Sequence, residues 1–272
     1  MPTPKALILL ATGTNRDLDV AHALTLAGAQ PEIVPLNHLR QTQKGWSAYQ
    51  MLVLAGGFSY ADALGAGKLL ALDLQSYFTD EVRAFVAQGK PVIGICNGFQ
   101  ALVKAGILPG GQPAAPQQAA PQEAGPQPAG PRATLTFNQR GRFECRWVTL
   151  SPASQTCLWT RGLSEPIYCP VAHGEGRFVT GGESDLQALR AGEQIALRYA
   201  LPGGAPAAGA YPHNPNGSVE DIAGVCNPQG NVLGLMPHPE NHILYYQHPR
   251  WTRGERGGAG LALFANGVRC AA

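Results

Sequence analysis

The sequence predicts an α/β fold, with a parallel, doubly wound sheet over residues 5–106 and a β-rich C-terminal half. Three observations predict it. Across residues 5–106 short apolar runs alternate with helix-length patterns, as expected of strands buried between layers of helix. A G-x-C-x-G run at Gly94–Gly98 marks a strand that turns directly into a helix. Beyond residue 132, apolar runs recur at short spacing with turn-rich segments between them.

The first strand is Lys5–Leu10, whose apolar run is too short for a signal-sequence core. A helix follows over Asp17–Ala27, with Asn15 or Asp17 placed to cap it. Strands at Pro31–Pro35 and Met51–Ala55 precede helices at Leu64–Phe78 and Thr79–Gln88. The strand Pro91–Ile95 leads into a helix from Asn97 that Gly106 ends. Residues 110–131 are almost all Pro, Ala, Gln and Gly, with nothing large and apolar to bury. They read as a flexible, partly polyproline-like loop inserted into a single domain spanning 1–272. Strands are then predicted at Ala133–Phe137, Arg142–Leu150, Pro166–Ala172, Gln194–Leu201, Ile222–Cys226 and Asn231–Met236. A short helix falls at Ser184–Arg190 and a closing helix at Gly260–Asn266.

In doubly wound sheets, binding residues collect beyond the carboxyl ends of the strands. Three segments fall there: Ala11–Asn15, Gly56–Tyr60 and the turn at Cys96. The last carries the most chemistry. G-x-C-x-G is the cysteine form of a nucleophile elbow, in which a sharp turn holds a reactive side chain above the sheet. The glycines flank Cys96 because a Cβ on either side would collide across so tight a turn. A free thiol, with a pKa of ~8.5, is mostly protonated at neutral pH. The start of a helix favours the thiolate.

Such a nucleophile needs a base, and the base needs an orienting acceptor. Two H-x-E pairs qualify: His173-Gly174-Glu175 and His238-Pro239-Glu240. In extended backbone residues i and i+2 share a side, so either pair sets an imidazole beside a carboxylate. Both follow apolar strands, and periodicity does not choose between them. Pro237 and Pro239 stiffen the backbone around His238 and favour the second pair, whereas His173 sits among glycines as in a binding loop. A backbone N–H from the Gly56-Gly57 turn, joined by that of Asn97, is placed to hold an oxyanion.

Composition narrows the function classes. The formal net charge of +2 leaves no basic footprint for nucleic acid. No apolar run approaches the ~20 residues of a membrane span. The six cysteines (96, 145, 157, 169, 226 and 270) form no C-x-x-C pair, and no H-E-x-x-H occurs, so no metal site is expected. This usage fits a reducing cytoplasm. Without a G-x-x-x-x-G-K-[ST] run, nothing announces an ATP site.

With Cys96-Asn97-Gly98-Phe99-Gln100, Gly56-Gly57-Phe58-Ser59-Tyr60 and His238-Pro239-Glu240 assembled, the chain resembles the class I glutamine amidotransferases. Within that class it is similar to the glutaminase subunits of phosphoribosylformylglycinamidine synthases. Gly13-Thr14-Asn15, Asp62, Phe143–Val148, Ala172–Phe178, Asn214–Ser218, Met236–Glu240 and the tail from Trp251 to Asn266 carry this closer likeness. It covers nearly the whole chain apart from 110–132, and departs at Ala61 and Gly65, where the family usually has glycine and arginine.

The resemblance implies a mixed sheet flanked by helices and a triad of Cys96, His238 and Glu240. It implies oxyanion donors at Gly57, Phe58 and Asn97, and a glutamine pocket shaped in part by Gln100, whose plain reading as a helix residue stays open. The implied reaction is hydrolysis of L-glutamine to glutamate and ammonia. The ammonia would go to a separate large synthetase subunit that converts formylglycinamide ribonucleotide to formylglycinamidine ribonucleotide. ATP and Mg are then expected on that partner, with no cofactor in this chain, and a small bridging subunit is a further candidate partner. Three other readings remain beside it: a glutaminase serving another synthetase, a cysteine hydrolase that shares the elbow, and a subunit that has lost the chemistry.

Overall fold

The computed structural model describes residues 3–42, 45–110 and 132–272; the inserted segment expected at 110–131 lies, but for Gly110, outside them. Strand β1 (Lys5–Leu10) is buried from Ala6 to Leu9, because it runs mid-sheet with both faces covered, and such strands read as unbroken apolar runs. It is followed by α1 (Asp17–Leu26), β2 (Gln30–Pro35), α2 (Leu36–Thr42) and β3 (Met51–Leu54). Next come α3 (Lys68–Tyr77), α4 (Thr79–Ala87), β4 (Val92–Ile95) and α5 (Asn97–Lys104).

The second half contains β5 (Ala133–Thr136), β6 (Glu144–Pro152), β7 (Ile167–His173), β8 (Arg177–Thr180) and α6 (Glu183–Ala191). It ends with β9 (Ile195–Ala200), β10 (Ile222–Cys226), β11 (Val232–Leu235) and α7 (Leu261–Ala271).

The β-rich half extends the first half's sheet. Nine strands run in the order β2-β1-β3-β4-β11-β10-β9-β6-β7. The five from β2 to β11 are parallel, and every pairing from β11 onward is antiparallel. Strands β5 and β8 form a separate antiparallel pair. This is the mixed sheet flanked by helices that the family resemblance implies. Helix α5 packs on β3, β4 and β11 and against α3, while α7 lies against α1 and β3.

Pairing β11 with β4 matters most for chemistry. The register sets Gly234 beside Gly94 and Leu235 beside Ile95. The ladder continues one bond further, from the Cys96 N–H to the Leu235 carbonyl at 2.8 Å. A segment about 140 residues downstream in sequence is thereby delivered next to the elbow, at the carboxyl ends of both strands.

Some elements differ from expectation. Helix α1 has Arg16 at its N-cap and no side-chain cap, so neither Asn15 nor Asp17 caps it. Helix α3 starts at Lys68 rather than Leu64, because Leu64, Gly65 and Gly67 have φ of 63°, 110° and 72°. Helix α2 and strand β8 were not expected at all, and α7 runs on to Ala271. Among the described residues no helix is long and apolar enough to cross a membrane.

Candidate active site

Cys96 stands between β4 and α5 with φ 51° and ψ −104°, in the left-handed half of conformational space that a side chain rarely enters. Its carbonyl already accepts the first helical hydrogen bond, from Gln100 N at 3.0 Å. The turn is thus a nucleophile elbow in geometry as well as in sequence. The sulfur, on a residue 5% exposed, lies 3.7 Å from the Ala172 carbonyl on β7.

His238 follows β11 and is fixed by its own N–H, which donates to the Pro170 carbonyl at 2.8 Å. Its Nδ1 lies 2.6 Å from Glu240 Oε1, and both residues are buried. A carboxylate accepts, so Nδ1 carries a proton and Nε2 is the nitrogen left for chemistry. Burial by itself lowers an imidazole's pKa. Attraction to Glu240 and to the Cys96 sulfur, with hydrogen bonds to both, outweighs it and pushes His238 up to about 10. The imidazolium is therefore the resting form at neutral pH. Nearby Cys169 is driven well above the usual thiol range by burial and by Glu240, which makes it an inert neighbour.

The Gly56–Tyr60 loop is clamped from two sides. From the β1–α1 loop, Asn15 N and Arg16 N donate to the Gly56 carbonyl at 3.3 and 3.2 Å, and Tyr60 N donates to the Thr12 carbonyl at 2.6 Å. From the elbow helix, the Asn97 side chain accepts from Ser59 N at 3.2 Å and donates to Asp62 Oδ1 at 3.0 Å. Gly56 is required by the imidazole itself, since a Cβ there would stand 2.8 Å from His238 Cε1.

One expected oxyanion donor needs correction. The Phe58 N–H donates to the Gly13 carbonyl at 2.9 Å and is already spent. Among the described residues no hydrogen bond engages the N–H of Gly57 or of Asn97, and the latter belongs to the first helical turn, where no intrahelical acceptor exists. Of the expected donors, these two N–H groups are the ones with no acceptor of their own among the described residues. Gln100 is buried with both ends of its amide occupied, by Asn97 Nδ2 at 3.2 Å and the Glu175 carbonyl at 2.8 Å, so it braces the wall of the site.

Sequence reasoning gave Asn97 a role only through its backbone, used Asp62 and Asn216 only as marks of the family likeness, and did not find Asn138. Asp62 is raised above the ordinary carboxylate value by burial and by Glu175, against the pull of its Asn97 hydrogen bond. No spacing rule pairs residues 62 and 97, because the contact exists only after β3 and β4 align. A cleft of about 300 Å³ opens beyond the carboxyl ends of β1 and β2, lined by Thr12, Gly13, Leu36, Asn37 and Tyr60 among others. Cys96 does not line this cleft and is itself buried.

Comparison with known proteins agrees with this geometry. Residues 3–270 match the CobB/CobQ-like glutamine amidotransferase domain. The chain belongs to this family. A phosphoribosylformylglycinamidine synthase subunit PurQ from Treponema denticola is 54% identical over 271 residues, covering 97% of this chain and 98% of the relative. One of the same name from Dehalococcoides mccartyi is 39% identical over 275 residues, covering 100% and 99%. Among solved structures, PurLQS from Thermotoga maritima superposes with a TM-score of 0.71 at 30% identity, covering 99% of each chain.

The Glu240 carboxylate gives a pH test. Because it raises the His238 pKa, removing its charge in Glu240→Gln lowers that pKa. The alkaline limb of kcat/KM, set by loss of the imidazolium, is expected to move to lower pH in this variant. Rate profiles of the variant and wild type check it; an unmoved limb would mean that Glu240 does not set the charge of His238.

Proposed function

We propose that this chain is the glutaminase subunit of a phosphoribosylformylglycinamidine synthase, acting with a separate synthetase subunit in purine biosynthesis. The observation that carries the site assignment is the juxtaposition of a strained Cys96 elbow with the buried His238–Glu240 pair at 2.6 Å. The identity of 54% over nearly the full length of a PurQ subunit supports the choice of synthase.

In this reading the Cys96 sulfur attacks the side-chain amide carbon of L-glutamine. The N–H groups of Gly57 and Asn97 hold the oxygen as it gains charge, each donor worth ~3–4 kcal/mol of barrier. Collapse breaks the C–N bond as His238 gives its proton to the departing ammonia, leaving a γ-glutamyl thioester on Cys96. His238 then takes a proton from water, whose oxygen attacks the thioester carbon. Cys96 leaves as thiolate, and glutamate is released. Glu240 holds the imidazole in the required tautomer throughout.

Ammonia in neutral water becomes ammonium and loses its nucleophilic lone pair, so it is useful only if delivered before protonation. ATP and Mg belong, in this proposal, to the synthetase, which activates formylglycinamide ribonucleotide; a small third subunit is a candidate bridge. The whole chain acts as one amidotransferase domain in the cytoplasm. A nucleophile only 5% exposed admits glutamine poorly until the surrounding loops yield, which favours activation by the partner.

The test is glutamate release from L-glutamine by this chain alone and with its synthetase, ATP and formylglycinamide ribonucleotide. Turnover is expected to rise at least about tenfold in the full mixture, as expected when closure completes a site. Equal turnover in both settings would overturn partner gating, and absence of turnover in both would overturn the glutaminase reading itself.

A further inference from the structure

His173 is a buried titratable group beside the triad that the reaction above does not use. It ends β7, is 3% exposed, and faces two buried asparagines. Asn138 Nδ2 donates to the carbonyls of His173 and Arg142 at 2.8 and 2.9 Å, which identifies its other atom as the acceptor. That oxygen accepts from Gly176 N at 3.0 Å and lies 3.1 Å from His173 Nδ1, so Nδ1 carries a hydrogen. On the far side, Asn216 Nδ2 donates to the Gly176 carbonyl at 2.9 Å and faces His173 Nε2 at 3.5 Å. Burial and the neighbouring His238 push His173 down to about 3, so its imidazole stays neutral beside a charged one. Gly176 is folded against the ring so closely that a Cβ would lie 2.3 Å from it.

The backbone held in this way touches each part of the site. The Pro170 carbonyl accepts the His238 N–H at 2.8 Å. The Ala172 carbonyl faces Cys96 Sγ at 3.7 Å, and the Glu175 carbonyl accepts from Gln100 Nε2 at 2.8 Å. Three carbonyls of one segment thus meet the nucleophile, the base and the helix behind them. We propose that His173 is a positioning residue whose Nδ1–H, clamped to Asn138, fixes the 170–176 backbone and through it the mutual placement of Cys96 and His238. It touches no reacting atom and transfers no proton. The inference rests on the glutaminase reading, since only that reading makes the Cys96–His238 placement matter for rate.

Two side chains separate this role from bulk packing. His173→Asn places its amide nitrogen where Nδ1 stands and keeps the donor to Asn138. His173→Gln is also polar but carries its amide one bond too far. Each variant is assayed in the full complex for glutamate release per Cys96 labelled by 6-diazo-5-oxo-norleucine, a glutamine-like electrophile. The rate constant for alkylation of Cys96 by iodoacetamide is measured alongside by mass spectrometry of its peptide. Unfolding exposes the buried Cys96 and speeds its alkylation, so mere destabilisation moves this rate constant up, opposite to the slowing expected of a misplaced thiol.

The Asn variant is expected within about threefold of wild type, and the Gln variant at least about tenfold slower in both measurements, as small misplacements in active sites commonly cost that much. Equal rates for the two variants, or a faster Gln variant, would overturn the positioning role. Wild-type turnover together with a dead Cys96→Ala control keeps the glutaminase reading standing whichever way His173 falls. A wild-type complex that releases no glutamate would remove that reading first.

Discussion

A Cys96→Gly chain is expected to unfold at a higher temperature than a Cys96→Ala chain, with both lacking glutaminase turnover. The order is the reverse of the usual one. Glycine normally costs ~0.5–1 kcal/mol relative to alanine, through the freedom it loses on folding. At φ 51° and ψ −104°, however, any side chain is strained, and such conformations store ~1–3 kcal/mol. Glycine relieves that strain and alanine retains it, so the net gain for glycine reaches up to ~2 kcal/mol. In a domain of about this size each kcal/mol is worth ~2–4 °C of Tm. Both changes remove the sulfur that attacks glutamine, and loss of a covalent nucleophile lowers turnover by ~10⁴-fold or more. Calorimetry of the two variants with glutamate release in the complex reads both effects. An alanine variant more stable than the glycine one would mean that the elbow stores no strain, and that Cys96 owes its placement to packing alone.

The elbow was legible in the sequence because its signal is local. Two glycines, a cysteine, an apolar strand before and a helical pattern after all lie within about fifteen residues. Strand β1 and strand β10 fall where the apolar runs place them for the same reason. Helix α2 was not legible: seven residues offer two buried leucines, Leu36 and Leu39, too few to establish a period. Strand β8 offers only Phe178 to the core. The apolar pattern from Leu64 suggested helix, but Leu64 is 76% exposed and held left-handed, a tertiary constraint that periodicity does not carry.

The choice between His173 and His238 shows the same limit from the side of the site. Both H-x-E pairs follow strands, and nothing local says which strand lies beside β4. Sheet order decides it, because β11 pairs with β4 and carries His238 to Cys96. Strand β7 is last in that order, yet it passes over the same strand ends and brings His173 close as a neutral neighbour. The pair not chosen as the base therefore still belongs to the site's surroundings, which the sequence did not reveal.

The other large effect is structural. Gly98→Ala is expected to destabilise the chain by ~3 kcal/mol or more, although alanine is the better helix former by ~1 kcal/mol. The reason lies in how α5 meets the sheet. A Cβ on Gly98 would stand 2.0 Å from the Leu54 carbonyl oxygen, 2.6 Å from its carbon and 2.8 Å from its Cβ. Leu54 is the last residue of β3, pinned between β1 and β4, so its backbone has no room to retreat. The helix must instead lift away from the sheet, which opens the interface where Phe99 and Leu102 are fully buried. Lifting α5 also withdraws the Asn97 side chain that ties down Ser59 and Asp62, so turnover falls with stability. Urea unfolding measures the first effect through the midpoint at unchanged slope. A midpoint equal to wild type would show that α5 does not rest on β3 as closely as described. The contact that makes the elbow rigid would then have to be sought in Gly94, whose own Cβ would meet the Gly98 carbonyl at 2.7 Å.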